Sequence, residues 1–204
     1  MNSQHALTEL MEIYGALFTR SEIGIRGGDV SKTKPALLEN MYKERNWHGY
    51  PTFLSSVWRD VDGVHGWGEA VDQILFKKGG YMRQPLHPLH LWTLSTAWPW
   101  MGVGMYLDWR YTNRDDGKIH RTPGIHKDIH QGGERSRPLR WVAWTLNSNG
   151  DLATLKEIQG ASQTRRYFFY QSNEDGKFYN AGLGRQYSLS AIMEIWNRLN
   201  QIDA

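Results

Sequence analysis

The stretch VGMYLDWRYT, from Val103 to Thr112, alternates Val103, Met105, Leu107, Trp109 and Tyr111 with Gly104, Tyr106, Asp108, Arg110 and Thr112. A period of two puts successive side chains on opposite faces of a pleated strand, whereas a helix groups them every three or four residues. The stretch therefore predicts a half-buried strand. It decides the fold, because residues before Gly80 read with helical spacing and most of those after it with strand spacing.

Towards the C-terminus, further strands are expected at Arg140 to Asn147, Leu152 to Ile158, Arg165 to Gln171 and Lys177 to Asn180. Ser148-Asn149-Gly150-Asp151 and Asn173-Glu174-Asp175-Gly176 have hairpin-turn chemistry, and hairpins join antiparallel neighbours. An antiparallel meander follows as the expectation. Leu189, Ile192, Trp196 and Leu199 then form one stripe behind Ser188 or Ser190 as cap, so the chain closes with a helix.

Towards the N-terminus, Pro85, Pro88 and Pro99 break regularity, and Pro85 to Trp100 reads as a packed, irregular entry into the sheet. Four helices are expected upstream. The first carries Leu7, Leu10, Met11, Tyr14, Leu17 and Phe18 after a Ser3 cap, and Arg26-Gly27-Gly28-Asp29 follows as a loop. The second opens at Pro35 and buries Leu37, Leu38, Met41 and Tyr42, stopping near Asn46. The third starts near Pro51 and buries Phe53, Leu54, Val57, Trp58 and Val61 before Gly63. The fourth buries Trp67, Ala70, Val71, Ile74 and Leu75, with Lys77, Lys78 and Gly79-Gly80 at its end. The expected fold is α+β, a helical N-terminal part packed on an antiparallel β meander and closed by a C-terminal helix. It forms a single domain over 1–204, divided into a helical part (1–80), a sheet part (81–187) and the terminal helix (188–204).

Hydrophobic residues make up 40% of the 204 and charged residues 22%, which is globular rather than disordered composition. No apolar run approaches the length of a membrane span, so no membrane partner is expected. Met1 to Phe18 lacks a basic segment ahead of a continuous apolar core, so a secretory signal is not expected and the cytoplasm is the expected location. The absence of cysteine excludes disulfides, thiolate nucleophiles and the common structural zinc sites. Ten Trp and ten Tyr supply buried area and flat faces on which bases or sugars stack.

The formal charge of +3 is concentrated. Arg110, Arg114, Lys118, Arg121, Lys127, Arg135, Arg137 and Arg140 stand against Asp115, Asp116, Asp128 and Glu134, while the rest of the chain is almost neutral. If the strands ending near Thr112 and beginning near Arg140 are neighbours, this segment is a long basic loop at one end of the sheet. Gly117, Gly124, Gly132 and Gly133 allow backbone N–H groups to turn towards an oxyanion, and arginine forks grip phosphate oxygens. Trp109, Tyr111, Trp141 and Trp144 border it. Cations beside aromatic faces hold single-stranded nucleic acid by charge neutralisation and stacking. The leading expectation is a nucleic-acid-binding protein, a candidate subunit of a larger assembly, with nucleic acid and a protein partner or homo-oligomer as partners. The competing explanation is a solvated loop with internally paired charges.

The residues leave open whether the chain is an enzyme. His120 or His126 with Glu157 and Arg166 would make a metal-independent, ribonuclease-like set, in which an imidazole moves the proton of a ribose hydroxyl and arginine stabilises the phosphate. A third class is a structural or assembly protein that buries exposed Trp and Tyr against a partner. His126 and His130, four apart, would share a helical face with His120 as a third metal ligand, but Lys127 stands where a hydrolytic glutamate belongs and Gly124 and Gly132 disfavour helix. Neither a metal nor another cofactor is expected. Gly182-Leu183-Gly184-Arg185 reads as a tight turn rather than a phosphate cradle, and Gln159 spoils the nuclease-like run Lys156-Glu157-Ile158. Asp60, Asp62 and His65-Gly66-Trp67-Gly68-Glu69 carry a weaker carbohydrate-processing signal, explained more simply by capping and exposure.

Overall fold

A computed structural model describes residues 32–56, 58–78, 84–98, 101–112, 117–129, 139–160 and 163–203. The expected helix from Leu7 to Phe18, the Arg26 to Asp29 loop and Gly79-Gly80 lie outside these residues. The described elements are α1 (Pro35–His48), β1 (Thr52–Ser56), β2 (Ala70–Leu75), α2 (Pro88–Ala97), β3 (Gly102–Thr112), β4 (Ile119–Asp128), β5 (Arg140–Leu146), α3 (Leu155–Gln159), β6 (Arg165–Gln171), β7 (Phe178–Asn180), β8 (Arg185–Tyr187) and α4 (Leu189–Ile202). The fold is α+β, as the sequence predicts.

The eight strands form one sheet in the order β1-β2-β4-β3-β5-β6-β7-β8. All neighbours are antiparallel except β3 and β5, which run parallel from Val103 opposite Arg140 to Tyr106 opposite Ala143. The sheet is thus mixed rather than a pure meander. Its cause is β4, which turns back along one edge of β3 so that the chain returns to the other edge in the direction of β3.

The larger core lies between the sheet and α2 and α4: Val103, Met105, Leu107, Val142 and Phe169 meet Leu91 and Trp92 from one helix and Ile192, Trp196 and Leu199 from the other. Each such side chain contributes about 1.5–3 kcal/mol when fully buried. Trp144 stacks flat on Phe169, centroids 4.0 Å apart, at the centre of this layer. A smaller core joins Leu37, Leu38, Met41 and Tyr42 of α1 to Leu54 and Val71.

On the opposite face of the sheet, two glycines take the place of side chains. A Cβ at Gly104 would fall 1.9 Å from the Trp141 ring, and one at Gly124 would fall 2.0 Å from the Trp109 ring. Both indoles therefore lie against the backbone of a neighbouring strand. Gly104→Ala is expected to cost about 1–3 kcal/mol by overpacking, read by urea denaturation together with the near-ultraviolet dichroism of the displaced indole. Unchanged stability would show that Trp141 does not rest on that strand.

His48, in the last turn of α1, is buried, and its Nδ1 accepts the Tyr50 N–H at 2.9 Å. Burial first, and then the charges of Lys127, Arg45 and Lys78, push its pKa from 6.5 down to about 4. Glu44, bonded to Lys127, is the acid beside these cations. The folded imidazole stays neutral where the unfolded one is protonated, so this contribution is complete above pH 6.5 and is lost as pH falls to about 4. The loss is on the order of 3 kcal/mol. Wild type should lose more stability across that window than His48→Gln in parallel chemical denaturation, and equal losses would contradict the assignment.

Several elements differ from expectation. The third and fourth expected helices contain β1 and β2 instead, and β2 is buried at every position, so its apolar residues fit either period. The irregular stretch after Pro85 contains α2, for which Pro88 is the first-turn proline and His87 Nδ1 accepts the Leu89 N–H as cap. The expected strand from Leu152 to Ile158 is an isolated bridge at Leu152 followed by α3, closed by a capping box between Thr154 and Glu157. The basic segment is not one long loop, because β4 runs through it.

Candidate functional site on the far face of the sheet

Strand pairing assembles the site. Asp72 of β2 stands opposite His126 of β4, His126 opposite Gly104 of β3, Gly104 opposite Trp141 of β5, Trp141 opposite Tyr170 of β6 and Tyr170 opposite Tyr179 of β7. Alternation puts this row on the far face, away from the core formed with α2 and α4. The adjacent row runs Gly124, Tyr106, Ala143, Phe168. A register shift between Tyr106 and Trp109 brings Trp109 to the same face, where its ring stacks on Tyr106 at 5.0 Å and 14°. Phe168 completes the cluster edge-on to Trp141 at 5.1 Å.

At the β2–β4 end of the row, His126 is held between two carboxylates. Its Nδ1 lies 2.9 Å from Asp72 Oδ1 and its Nε2 lies 3.4 Å from Asp128 Oδ2. Asp72 Oδ2 is approached by His65 Nε2 at 3.3 Å and by Arg59 at 3.6 Å. The two imidazoles meet edge to face at 5.1 Å, and Trp141 lies 5.6 Å from His126. Burial disfavours the charged imidazole of His126, but the hydrogen bonds and charges of Asp128 and Asp72 outweigh it and push its pKa up to about 9. Burial likewise opposes ionisation of Asp72, yet its bonds to His126 and His65 hold its carboxyl well below the usual carboxylate range. The result is a buried, charged Asp–His–Asp relay with a second histidine on it.

Beside the rings, Thr145 donates its hydroxyl to Asp108 Oδ2, and Arg166 reaches Asp108 Oδ1 at 3.3 Å. The same guanidinium lies 4.9 Å from the centre of the Tyr106 ring. Burial, then the charge of Asp72, raises the Tyr106 phenol well above its usual range, so this hydroxyl is a donor at neutral pH.

The residues singled out from sequence separate into groups. Arg110, Lys118 and Arg140 are exposed, and Arg140 also donates to Thr96 O at 3.1 Å. Arg121 and Lys127 are not presented to an outside anion. Arg121 is buried against Asp203 at 2.6 Å and Ala153 O at 3.0 Å, and Lys127 is buried against Glu44 and Ser95 O. Both sit at odd positions of β4, facing the helices. Arg114, Arg135, Arg137 and His130 lie outside the described residues, as does the Tyr111 side chain. Trp109 and Trp141 belong to the far face, whereas Trp144 is in the helix-side core.

Of the catalytic set, His126 and Arg166 share the far face, but the others are elsewhere. Glu157 accepts bonds from Thr154 and Asn147 around α3. His120 is six residues from His126 along an extended strand, about 20 Å at 3.4 Å per residue, and so cannot share a substrate atom or an ion with it. The four-residue spacing of His126 and His130 starts in a strand and does not define a helical face. The partners His126 has instead are Asp72, Asp128 and His65, which sequence reasoning missed. Asp72 was concealed inside an apparent helix, and the His65 segment carried only the carbohydrate signal. In that segment Asp60 and Asp62 are exposed and Glu69 pairs with Lys34.

Comparison with protein-family models, curated proteins and solved structures gives no match to this chain. No described helix is long and apolar enough to cross a membrane.

Proposed function

We propose that the protein binds single-stranded nucleic acid along the far face of the sheet. The observation that carries this reading is the row of rings across the strands from the half-buried Trp109 and Tyr106 past the buried Trp141 and half-buried Phe168 to Tyr170 and Tyr179, the last two being 48% and 38% exposed. Rings on a sheet surface give unpaired bases stacking platforms, each contributing about 1–3 kcal/mol without regard to base identity. Arg166 stands over the strip and can meet phosphate, with Arg59 beyond it near Asp72.

Buried pairing of Arg121 and Lys127 lowers the number of phosphate contacts this reading needs. With about two to four phosphates neutralised, the slope of log K against log salt for a single strand is expected near −1.4 to −2.8, not the value of about −6 that eight free cations would give. Fluorescence anisotropy with labelled single-stranded and duplex oligonucleotides, chelator present, measures both slope and strand preference. Single-strand preference with a shallow slope supports the reading. Absent binding, or equal binding of duplex, overturns it.

A second reading, cleavage of the bound strand, is favoured by the position of His126 and Asp72 in the same row as Trp141. It expects His126→Asn to abolish cleavage while leaving binding intact.

A further inference from the structure

We propose that His65, Asp72 and His126 form a binding site for one divalent transition-metal ion of the zinc and cobalt type. Nothing in the nucleic-acid reading requires this site. The three side chains are buried, and one donor atom from each lies within 4.8 Å of the others. Ligands around zinc sit about 2.0–2.2 Å from the ion, which places them about 3.4 Å from one another in tetrahedral geometry. His126 Nδ1 is 2.9 Å from Asp72 Oδ1 and His65 Nε2 is 3.3 Å from Asp72 Oδ2, so each imidazole already has a nitrogen close to ligand spacing from one oxygen of the carboxylate.

The supports of these side chains match the requirement. Asp72 and His126 are direct partners across the β2–β4 pair. His65 comes from a loop fixed by Trp67 N–H to Gly63 O at 3.1 Å, Gly68 N–H to His65 O at 3.1 Å and Trp58 Nε1 to Gly66 O at 2.7 Å. A side chain at Gly66 would strike Val61 O at 1.8 Å, so the loop is closed tightly on itself. Asp128 faces the His126 nitrogen that the ion does not need, at 3.4 Å. A carboxylate on the outer nitrogen of a histidine ligand fixes its tautomer and ring orientation.

Two imidazoles and one carboxylate favour zinc, cobalt or iron(II) over magnesium or calcium, which prefer oxygen. Three protein ligands leave a position open to water or an anion, the arrangement of reactive rather than structural sites. Arg59, 41% exposed and 3.6 Å from Asp72 Oδ2, stands where it would meet an anion in that position.

The test is titration of the chelator-stripped full chain with cobalt(II) and then zinc(II), followed by visible absorption, calorimetry and thermal unfolding. The expected result is saturation at one equivalent, visible bands of low-coordinate cobalt bleached by zinc, and a metal-dependent rise in Tm. Asp128→Asn should keep the one-equivalent site with affinity reduced about 10–100-fold. His65→Gln, a loop substitution whose folding is checked by its circular dichroism and its Tm in chelator, should lose the bands and the Tm rise. Absence of saturable binding by the wild type overturns the proposal whatever the variants do, and undiminished binding by folded His65→Gln overturns it equally. Because no polynucleotide enters the assay, its failure is distinguishable from failure of the nucleic-acid reading.

Discussion

Lys127→Ala is expected to destabilise the protein by about 3–5 kcal/mol, the cost of leaving one partner of a buried ion pair without the other. Lys127 is fully buried, and its ammonium donates to Glu44 Oε1 and, at 3.1 Å, to Ser95 O. It thereby ties β4 to α1 and α2 together. Burial lowers the pKa of Lys127 while the charge of Glu44 opposes the shift, so desolvation and attraction work against each other. The alanine variant removes the cation but keeps the Glu44 carboxylate inside. A double variant, Lys127→Met with Glu44→Met, removes both charges at similar volume and is expected to recover most of the loss. Urea unfolding of the wild type, Lys127→Ala and the double variant measures this. A cost below about 1 kcal/mol for Lys127→Ala is the surface ion-pair value and would contradict the buried pair.

Tyr170→Ala combined with Tyr179→Ala is expected to weaken single-strand binding by at least about 30-fold, since two lost stacking platforms amount to about 2 kcal/mol or more. The two residues are direct partners across β6 and β7, both are exposed, and Tyr179 additionally bonds Asp175 at 2.6 Å. Stability should change little, because neither ring is in either core. Retained affinity with retained fold would remove the far face from the binding account.

β3 was legible in the sequence because Val103, Met105 and Leu107 face the helices while Gly104, Tyr106 and Asp108 face away. Trp109 departs from that alternation because the register shift after Tyr106 turns it over, and no sequence period reports a bulge. The terminal helix was legible to the cap, Ser188 accepting the Ala191 N–H at 3.2 Å. The hairpin at Asn173 to Gly176 was legible through its glycine, which takes a φ of 69°. β2 was not legible, because a strand buried on both faces has no polar side to mark it. β4 was concealed because Gly124 was read as a loop and helix-disfavouring glycine, whereas it is there because Trp109 lies over it.

The same physics limited the reading of the site. Charge counts do not reveal direction, so Arg121 and Lys127 looked like surface cations until Asp203 and Glu44, 82 and 83 residues distant, proved to be their partners. Asp72 and His126 are 54 residues apart and meet only through strand register. His126 was visible as a candidate, but its partners were not.

Stacking of bases on the far face is tested most directly by ultraviolet cross-linking of a short single strand followed by peptide mapping. Cross-links are predicted in peptides from β6 and β7, at Tyr170 and Tyr179, with Trp109 next. Cross-links confined to the helix-covered side, for example at Trp92 or Trp196, or efficient binding that leaves Tyr170 and Tyr179 unmodified, would contradict it.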